Sequence, residues 1–283
     1  MRSTVRLDQL LVKRGFFESR SRAQWAIREG LVRVNGTVVE KAGSMVPETV
    51  CLEVDDHPSF RYVGFGGYKL ETALRDFYLS PRGLHVMDVG SSTGGFTDCL
   101  LQQGAVRVAA VDVGTGQLHP RLRQDPRVLY FEKTDIRNLN VFYRAALMTV
   151  DVSFISVTHI LSALQNFLDD DGYLLILIKP QFEQEVRMKF RNGIIRNPEI
   201  VAAAVRRVVE AAENEGFYVR DVTLAPLDEE KNIEVFALFR PFGPGFKERV
   251  VAKTLHLLRP ESQGSRSQIK PYYPPGHPKA VLR

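Results

Sequence analysis

The sequence predicts an α/β fold: an open, mostly parallel sheet with helices on both faces, preceded by a smaller α+β domain. Three observations carry that prediction. From about Tyr68 to Phe239, strand-length apolar runs alternate with helix-length amphipathic ones, the pattern of strand–helix units in a parallel sheet. The first sixty residues differ, placing two short helical stretches before a hairpin signal. The 283 residues, 44% hydrophobic and 25% charged, suffice for two domains with sizeable cores and are ordinary for a globular chain.

In the first domain, Leu7, Leu10 and Leu11 form an i, i+3, i+4 stripe that Gly15 can end. Ser19 is placed to cap a second helix through Ala23, Ala26 and Ile27, ending at Gly30. Residues 31–39 alternate around Asn35-Gly36, a strong hairpin signal, and 50–54 reads as a further strand. The stretch 55–67, with Pro58, Gly64, Gly66 and Gly67, holds the boundary. The expected division is a first domain at 1–60, a linker at 61–67, a second domain at 68–246 and a basic, flexible tail at 247–283.

In the second domain helices are expected at 68–77, 95–103, 157–168 and 198–215. Strands are expected at 84–89, 106–113, 128–131, 147–152, 173–178, 217–224 and 233–239, the last two separated by the charged loop 228–231. After Pro241, Gly, Pro, Ser and basic residues dominate. One helical turn near Leu255, Leu257 and Leu258 is the most expected there, and the last twenty residues read as disordered.

Residues 1–62 carry 10 basic and 8 acidic side chains, 63–246 carry 20 and 23, and 247–283 carry 8 and 2. Basic ends around a near-neutral body favour a polyanionic partner. No apolar run approaches the ~18 residues of a membrane-spanning helix, and residues 1–10 lack the apolar region of a signal peptide. Cys51 and Cys99 alone can build neither a metal cage nor a disulfide framework. The expectation is a cytoplasmic protein with no membrane partner and no required metal.

The most informative stretch is Val86-Met-Asp88-Val-Gly90-Ser-Ser92-Thr-Gly94-Gly95-Phe96-Thr97-Asp98, a buried strand followed by a glycine-rich turn and a helix start. Glycines let a ligand approach the backbone, and the helix start offers unpaired N–H groups. Gly90, Ser92, Gly94, Gly95 and Phe96 are therefore candidate cofactor-binding residues. Asp88, at the strand end, would repel a pyrophosphate but suit the cationic methionine portion of S-adenosylmethionine. Asp112, ending the next strand, can accept from both hydroxyls of a ribose, and Asp135 could meet an adenine amine. Asp151 and Lys179 stand at or beyond the ends of later strands, where open sheets bind ligands. Each has two readings: Asp151 as a helix cap or a crevice residue, Lys179 as snorkelling to solvent or reaching inward. Glu234, on the last strand, reads by itself as an exposed glutamate.

The chain resembles the TlyA family of S-adenosylmethionine-dependent rRNA 2′-O-methyltransferases, some of which have been labelled haemolysins. The motifs run from Val5 to about Arg240: Arg6-Leu-Asp-Gln-Leu-Leu-Val-Lys-Arg14-Gly, Ser19-Arg20, Gly30-Leu-Val-Arg-Val-Asn35-Gly36, Ser92-Thr-Gly-Gly-Phe-Thr-Asp-Cys99, Asp112-Val-Gly, Gly116-Gln-Leu118, Asp151-Val-Ser-Phe-Ile-Ser156, Lys179-Pro-Gln-Phe-Glu183 and Asn232-Ile-Glu234. The first three also resemble the small RNA-binding domain of ribosomal protein S-four. The resemblance implies a Rossmann-like methyltransferase sheet with an N-terminal α+β RNA-binding domain, S-adenosylmethionine as cofactor, and ribosomal RNA or subunits as partner. It implies a catalytic tetrad like that of FtsJ-like enzymes at Lys69, Asp151, Lys179 and Glu234, and RNA contacts from Arg6, Arg14, Arg20 and Lys41. Methylation of a ribose, with cytidine as the family precedent, is the expected function. A catalytically silent rRNA-binding or ribosome-assembly protein with the same fold is the alternative.

Four departures from the family pattern stand out. Gly64-Phe65 replaces Ser-Arg before Gly66-Gly67, and Thr115 stands where Tyr is usual. Residues 187–197 lack paired glycines, and Asp228-Glu-Glu-Lys231 replaces a Gly/Pro-rich segment. None removes a tetrad residue, so they bear on substrate docking and domain coupling rather than on reaction type.

Overall fold

The computed structural model describes residues 4–184, 194–226 and 232–259. These form two compact units that divide between Arg61 and Tyr62.

The N-terminal unit begins with β1 (Thr4–Arg6), α1 (Leu7–Lys13) and α2 (Arg20–Arg28). Ser19 caps α2 by accepting from the Arg22 N–H at 3.3 Å. The hairpin joins β2 (Val32–Val34) to β3 (Thr37–Val38), and both turn residues, Asn35 and Gly36, have positive φ (50° and 79°), as a type I′ turn requires. β4 (Met45–Pro47) pairs antiparallel with β1, and β5 (Leu52–Val54) completes a three-stranded sheet with β2 and β3. β1 and β4 were not expected, because three residues are too few to display alternation. Leu7, Leu10, Leu11, Ala23, Ala26 and Ile27 are buried in the core, and Phe16 and Trp25 pack against it.

The second unit opens with α3 (Phe65–Asp76) and β6 (His85–Val89), then α4 (Gly95–Gln102), β7 (Arg107–Val111), α5 (Pro120–Arg123) and β8 (Val128–Phe131). It continues with β9 (Ala145–Val150), α6 (Leu161–Leu164), β10 (Leu168–Ile178), α7 (Pro198–Asn214), β11 (Tyr218–Leu224), β12 (Val235–Arg240) and α8 (Lys247–Leu257). The strands form one seven-stranded sheet in the order β11-β12-β10-β9-β6-β7-β8. Pairings from β10 through β8 are parallel, and β12 runs antiparallel between β10 and β11. One buried cluster holds Met87, Met148, Ile176 and the inner face of α7; the other holds Val86, Leu147, Leu175 and the inner faces of α3 and α4. Chain order reverses between β6 and β9, so the crevice outside their C-terminal ends is where such sheets bind ligands.

Two expectations are corrected here. The helix expected at 157–168 is a 3-10 turn at Val157–His159 and one turn of α6, after which Leu168 already pairs with Ala145 as the start of β10. Three consecutive acids, Asp169 to Asp171, would oppose the negative end of a helix dipole there. The segment expected as a flexible tail contains the 11-residue α8. Val250, Thr254 and Leu258 bury one face, while Lys253 pairs with Asp221 at 2.6 Å and Glu248 with Arg206 at 2.7 Å. The loop 228–231 and the residues beyond Arg259 lie outside the described residues, as does most of 187–197. Among the described residues no helix is long and apolar enough to cross a membrane.

Candidate active site

The glycine-rich turn after β6 is shaped by contacts that tolerate no side chain. Gly90 has φ +84°, and a Cβ there would lie 2.4 Å from the Asp151 carbonyl oxygen. Asp151 in turn donates its N–H to the Val89 carbonyl at 2.9 Å, so the turns after β6 and β9 lie backbone against backbone. Gly94 has φ +94°, and its Cβ would collide with Leu122 at 2.2 Å. Gly95 starts α4, directing that helix's N-terminal N–H groups toward the turn.

Asp112, just past β7, is held by two backbone donors. Its Oδ2 accepts from Ser92 N at 2.7 Å and its Oδ1 from Gly114 N at 2.6 Å. Each carboxylate oxygen keeps a further lone pair, and the residue is half-exposed. That is a prearranged double acceptor beside the glycine turn, and the donor chemistry of a ribose diol fits it.

Three other candidate cofactor residues are placed differently. Asp88 is fully buried, accepting from Thr97 Oγ1 at 2.6 Å and Thr149 Oγ1 at 3.0 Å. Burial pushes its carboxyl up to about 7. It ties α4 to the neighbouring strand from below, rather than facing a ligand's cation as expected. Phe96 is buried against Phe236, so its side chain belongs to the core. Asp135 caps a 3-10 turn, and Arg137 engages both its oxygens at 2.5–3.1 Å, which spends the carboxylate on a local clamp.

All four expected tetrad residues come together. Lys69 projects from α3, whose start is tied to α4 by the Val63 N–H donating to Asp98 at 2.8 Å. Its Nζ donates to Glu234 Oε2 at 2.5 Å, just before β12. Lys179, the first residue past β10, stands with Nζ 2.5 Å from Asp151 Oδ1 and donates to Ser153 Oγ at 2.8 Å. Burial raises the Asp151 carboxyl against the opposing pull of Lys179 and then Lys69, while Glu234 pushes the same way as burial. The two ion pairs thus form one electrostatic cluster at the crevice.

Residues within the quoted motifs, given no role from sequence, supply the scaffolding. Glu183 is buried; its Oε1 accepts from Val157 N at 2.9 Å and its Oε2 from the Ser156 hydroxyl. This clips the turn after β10 to the turn after β9. Phe154, between Asp151 and that clip, is 90% exposed with φ +70° and faces Phe182 at 5.6 Å. Their places in Asp151–Ser156 and Lys179–Glu183 were the only signal. Among the described residues no group of His, Cys, Asp and Glu could hold a metal ion.

In the N-terminal unit, Arg6 and Arg20 both bond Asp8, at 2.9 and 3.1 Å, and Lys41 is exposed. Arg14 donates to the carbonyls of Val50, at 2.7 Å, and Glu48, so its guanidinium staples a loop.

A two-part architecture, an S4 domain and a methyltransferase sheet, is also what comparison finds. The FtsJ-like methyltransferase family matches residues 62–242 and the S4 domain matches residues 5–49. The chain belongs to the FtsJ-like methyltransferase family. It is 36% identical to the 16S/23S rRNA (cytidine-2′-O)-methyltransferase TlyA of Mycobacterium tuberculosis, over 85% of this chain and 91% of that one. A Bacillus subtilis protein, YqxC, provisionally named an rRNA methyltransferase, is 40% identical over 78% of this chain and 80% of its own. A Streptococcus thermophilus structure with a provisional hemolysin name superposes with TM-score 0.70 at 36% identity, covering 95% of this chain and 100% of that one.

Proposed function

We propose that this protein methylates a ribose 2′-oxygen, that of a cytidine, in ribosomal RNA, with S-adenosylmethionine as the methyl donor. The observation that carries the reading is the joining of Lys69–Glu234 and Lys179–Asp151 into one buried-edge cluster beside the glycine turn. The Lys179 ammonium has three N–H groups; Ser153 accepts from one and Asp151 is its ion-pair partner, so at least one is left for a substrate oxygen. A ribose hydroxyl is a weak nucleophile at neutral pH. A fixed N–H aimed at its oxygen would stabilise the negative charge that grows there as the hydroxyl proton passes to solvent and the methyl group leaves sulfur for that oxygen.

When bound, the cofactor supplies an electrophilic methyl group on sulfonium. The fit of this chain to such a cofactor rests on Asp112, whose two prearranged oxygens suit the ribose diol, and on the turn at Gly90–Gly95. Asp151 fixes the Lys179 ammonium, and Glu234 fixes Lys69 within the same field. The exposed ring of Phe154 offers a stacking face for a nucleobase. The S4 domain supports RNA as substrate, through phosphate contacts that position without selecting sequence.

The deciding experiment is mass-spectrometric mapping of ribose methylation in rRNA from cells with and without the gene, with labelled methyl transfer by the purified protein to each ribosomal subunit. A 2′-O-methylcytidine that disappears with the gene is expected. No change at any ribose, and no transfer in vitro, would leave an rRNA-binding protein without the activity.

A further inference from the structure

Asp8, in α1, is the one fully buried carboxylate among the described residues of the N-terminal unit. Its oxygens collect four side-chain donors. Arg6 Nε donates to Oδ1 at 3.1 Å, while Arg6 Nη2 at 2.9 Å, Arg20 Nη2 at 3.1 Å and Gln24 Nε2 at 2.7 Å all donate to Oδ2. Arg6 comes from the residue before α1 and Arg20 from the start of α2, so Asp8 gathers guanidiniums from two elements. The backbone around it is fixed as well, with Asp8 N donating to Ala42 O at 3.3 Å and Leu7 N to Ser44 O at 2.9 Å. At the turn between those two acceptors, a Cβ on Gly43 would stand 3.2 Å from Arg6 Nη1, so glycine there keeps the guanidinium's other edge uncrowded. Even so, the Arg6 and Arg20 side chains remain 41% and 52% exposed.

We propose that Asp8 is a positioning residue for RNA recognition, holding Arg6 and Arg20 as a fixed pair of guanidiniums set to grip phosphates of a structured RNA. The inference rests on the reading of this unit as the RNA-binding one. A guanidinium has five N–H groups; Asp8 takes two from Arg6 and one from Arg20, and the rest are left for other acceptors. As an electrostatic device Asp8 is counterproductive, since its charge cancels one of the two arginines on a face meant for a polyanion. What it supplies is order. Long arginine side chains lose much rotamer freedom when they bind, and a carboxylate that has already fixed them moves that cost from binding to folding. The Arg6 guanidinium, with Gln24 and Arg20, holds the Asp8 carboxyl well below the usual carboxylate range despite its burial. The clamp is therefore charged and intact at any pH where the protein would meet RNA.

Charge and order predict opposite signs, and that makes the test. Binding of the full chain to purified ribosomal subunits is compared with binding to poly(U), an unstructured polyanion, at one salt concentration. Asp8→Asn is expected to weaken subunit binding about five- to twentyfold while poly(U) binding stays the same or tightens, because the face gains one positive charge. A folded Asp8→Asn protein that binds subunits as well as or better than the wild type overturns the proposal. Should circular dichroism show that Asp8→Asn does not fold, Gln24→Ala replaces it, removing one donor to Oδ2 and no charge. That variant is expected to lose about two- to fivefold on subunits and nothing on poly(U); unchanged subunit binding overturns the proposal. Arg6→Ala with Arg20→Ala tests the underlying reading separately. Weaker binding to both RNAs supports it, and no loss on either removes the RNA-binding face and the Asp8 clamp with it.

Discussion

Lys179 is the residue on which the proposed chemistry turns. Its Nζ is oriented by Asp151 and Ser153. Lys179→Ala should leave folding and cofactor binding intact while lowering single-turnover methyl transfer about 100–1,000-fold, since a donor aimed at developing oxyanion charge is worth about 2.7–4 kcal/mol. Lys179→Arg should rescue poorly, because a planar guanidinium cannot reproduce a compact ammonium between those two partners. A near wild-type rate for the alanine variant would return Lys179 to a snorkelling strand-end lysine. Asp112 makes a parallel case for the cofactor. Asp112→Ala removes both oxygens that Ser92 and Gly114 hold in place, so calorimetry should register a ten- to hundredfold loss in S-adenosylmethionine affinity, about 1.5–3 kcal/mol. Unchanged affinity would remove it from the cofactor site.

Elements are coupled beneath this site by two buried carboxylates. Glu183 joins the turns after β9 and β10, and removing it leaves the Val157 N–H buried without an acceptor. Glu183→Ala should destabilise the protein by about 1–3 kcal/mol and slow transfer, while Glu183→Gln, which keeps one acceptor oxygen, should recover most of both. An alanine variant with wild-type stability would mean that the clip does not hold the turns. Asp88 joins α4 to β9, and its carboxyl titrates near 7 in the folded protein against a normal value near 4 when unfolded. Between those values the folded state binds the proton more tightly. Stability should therefore fall as pH rises from about 4 to about 7, by at most about 1.4 kcal/mol per pH unit from this group, and level off above. Asp88→Asn should flatten that decline in urea midpoints measured at pH 5, 6 and 8. A decline that persists in the variant would have to come from other groups.

At the scale of the molecule, the second unit ends later than its composition suggests. α8 buries Val250, Thr254 and Leu258 in the cluster that includes α7 and β11, and three ion pairs, Lys247–Glu210, Arg206–Glu248 and Lys253–Asp221, fasten it. A chain ending at residue 246 should therefore melt well below one ending at 259, with most of the difference coming from uncovered apolar surface. Equal melting temperatures would make α8 an ornament.

The sequence by itself determined the strand–helix alternation, the type I′ hairpin at Asn35-Gly36 and the glycine turn after β6, because periodicity and positive-φ demands are local properties. It also pointed to the four side chains that meet at the crevice, through a family resemblance rather than through their individual patterns. The tertiary structure decided matters that depend on what each side chain meets across the fold. Asp88 and Phe96 sit in the right motif but face inward, Arg137 claims Asp135, and Arg14 serves a loop. α8 escaped notice because its buried stripe includes a threonine and has meaning only against α7 and β11. Lys179 resolves the same way. Two readings were equal until β9 and β10 came side by side in parallel and set Asp151 2.5 Å from its ammonium, a contact between residues twenty-eight apart that no local rule encodes.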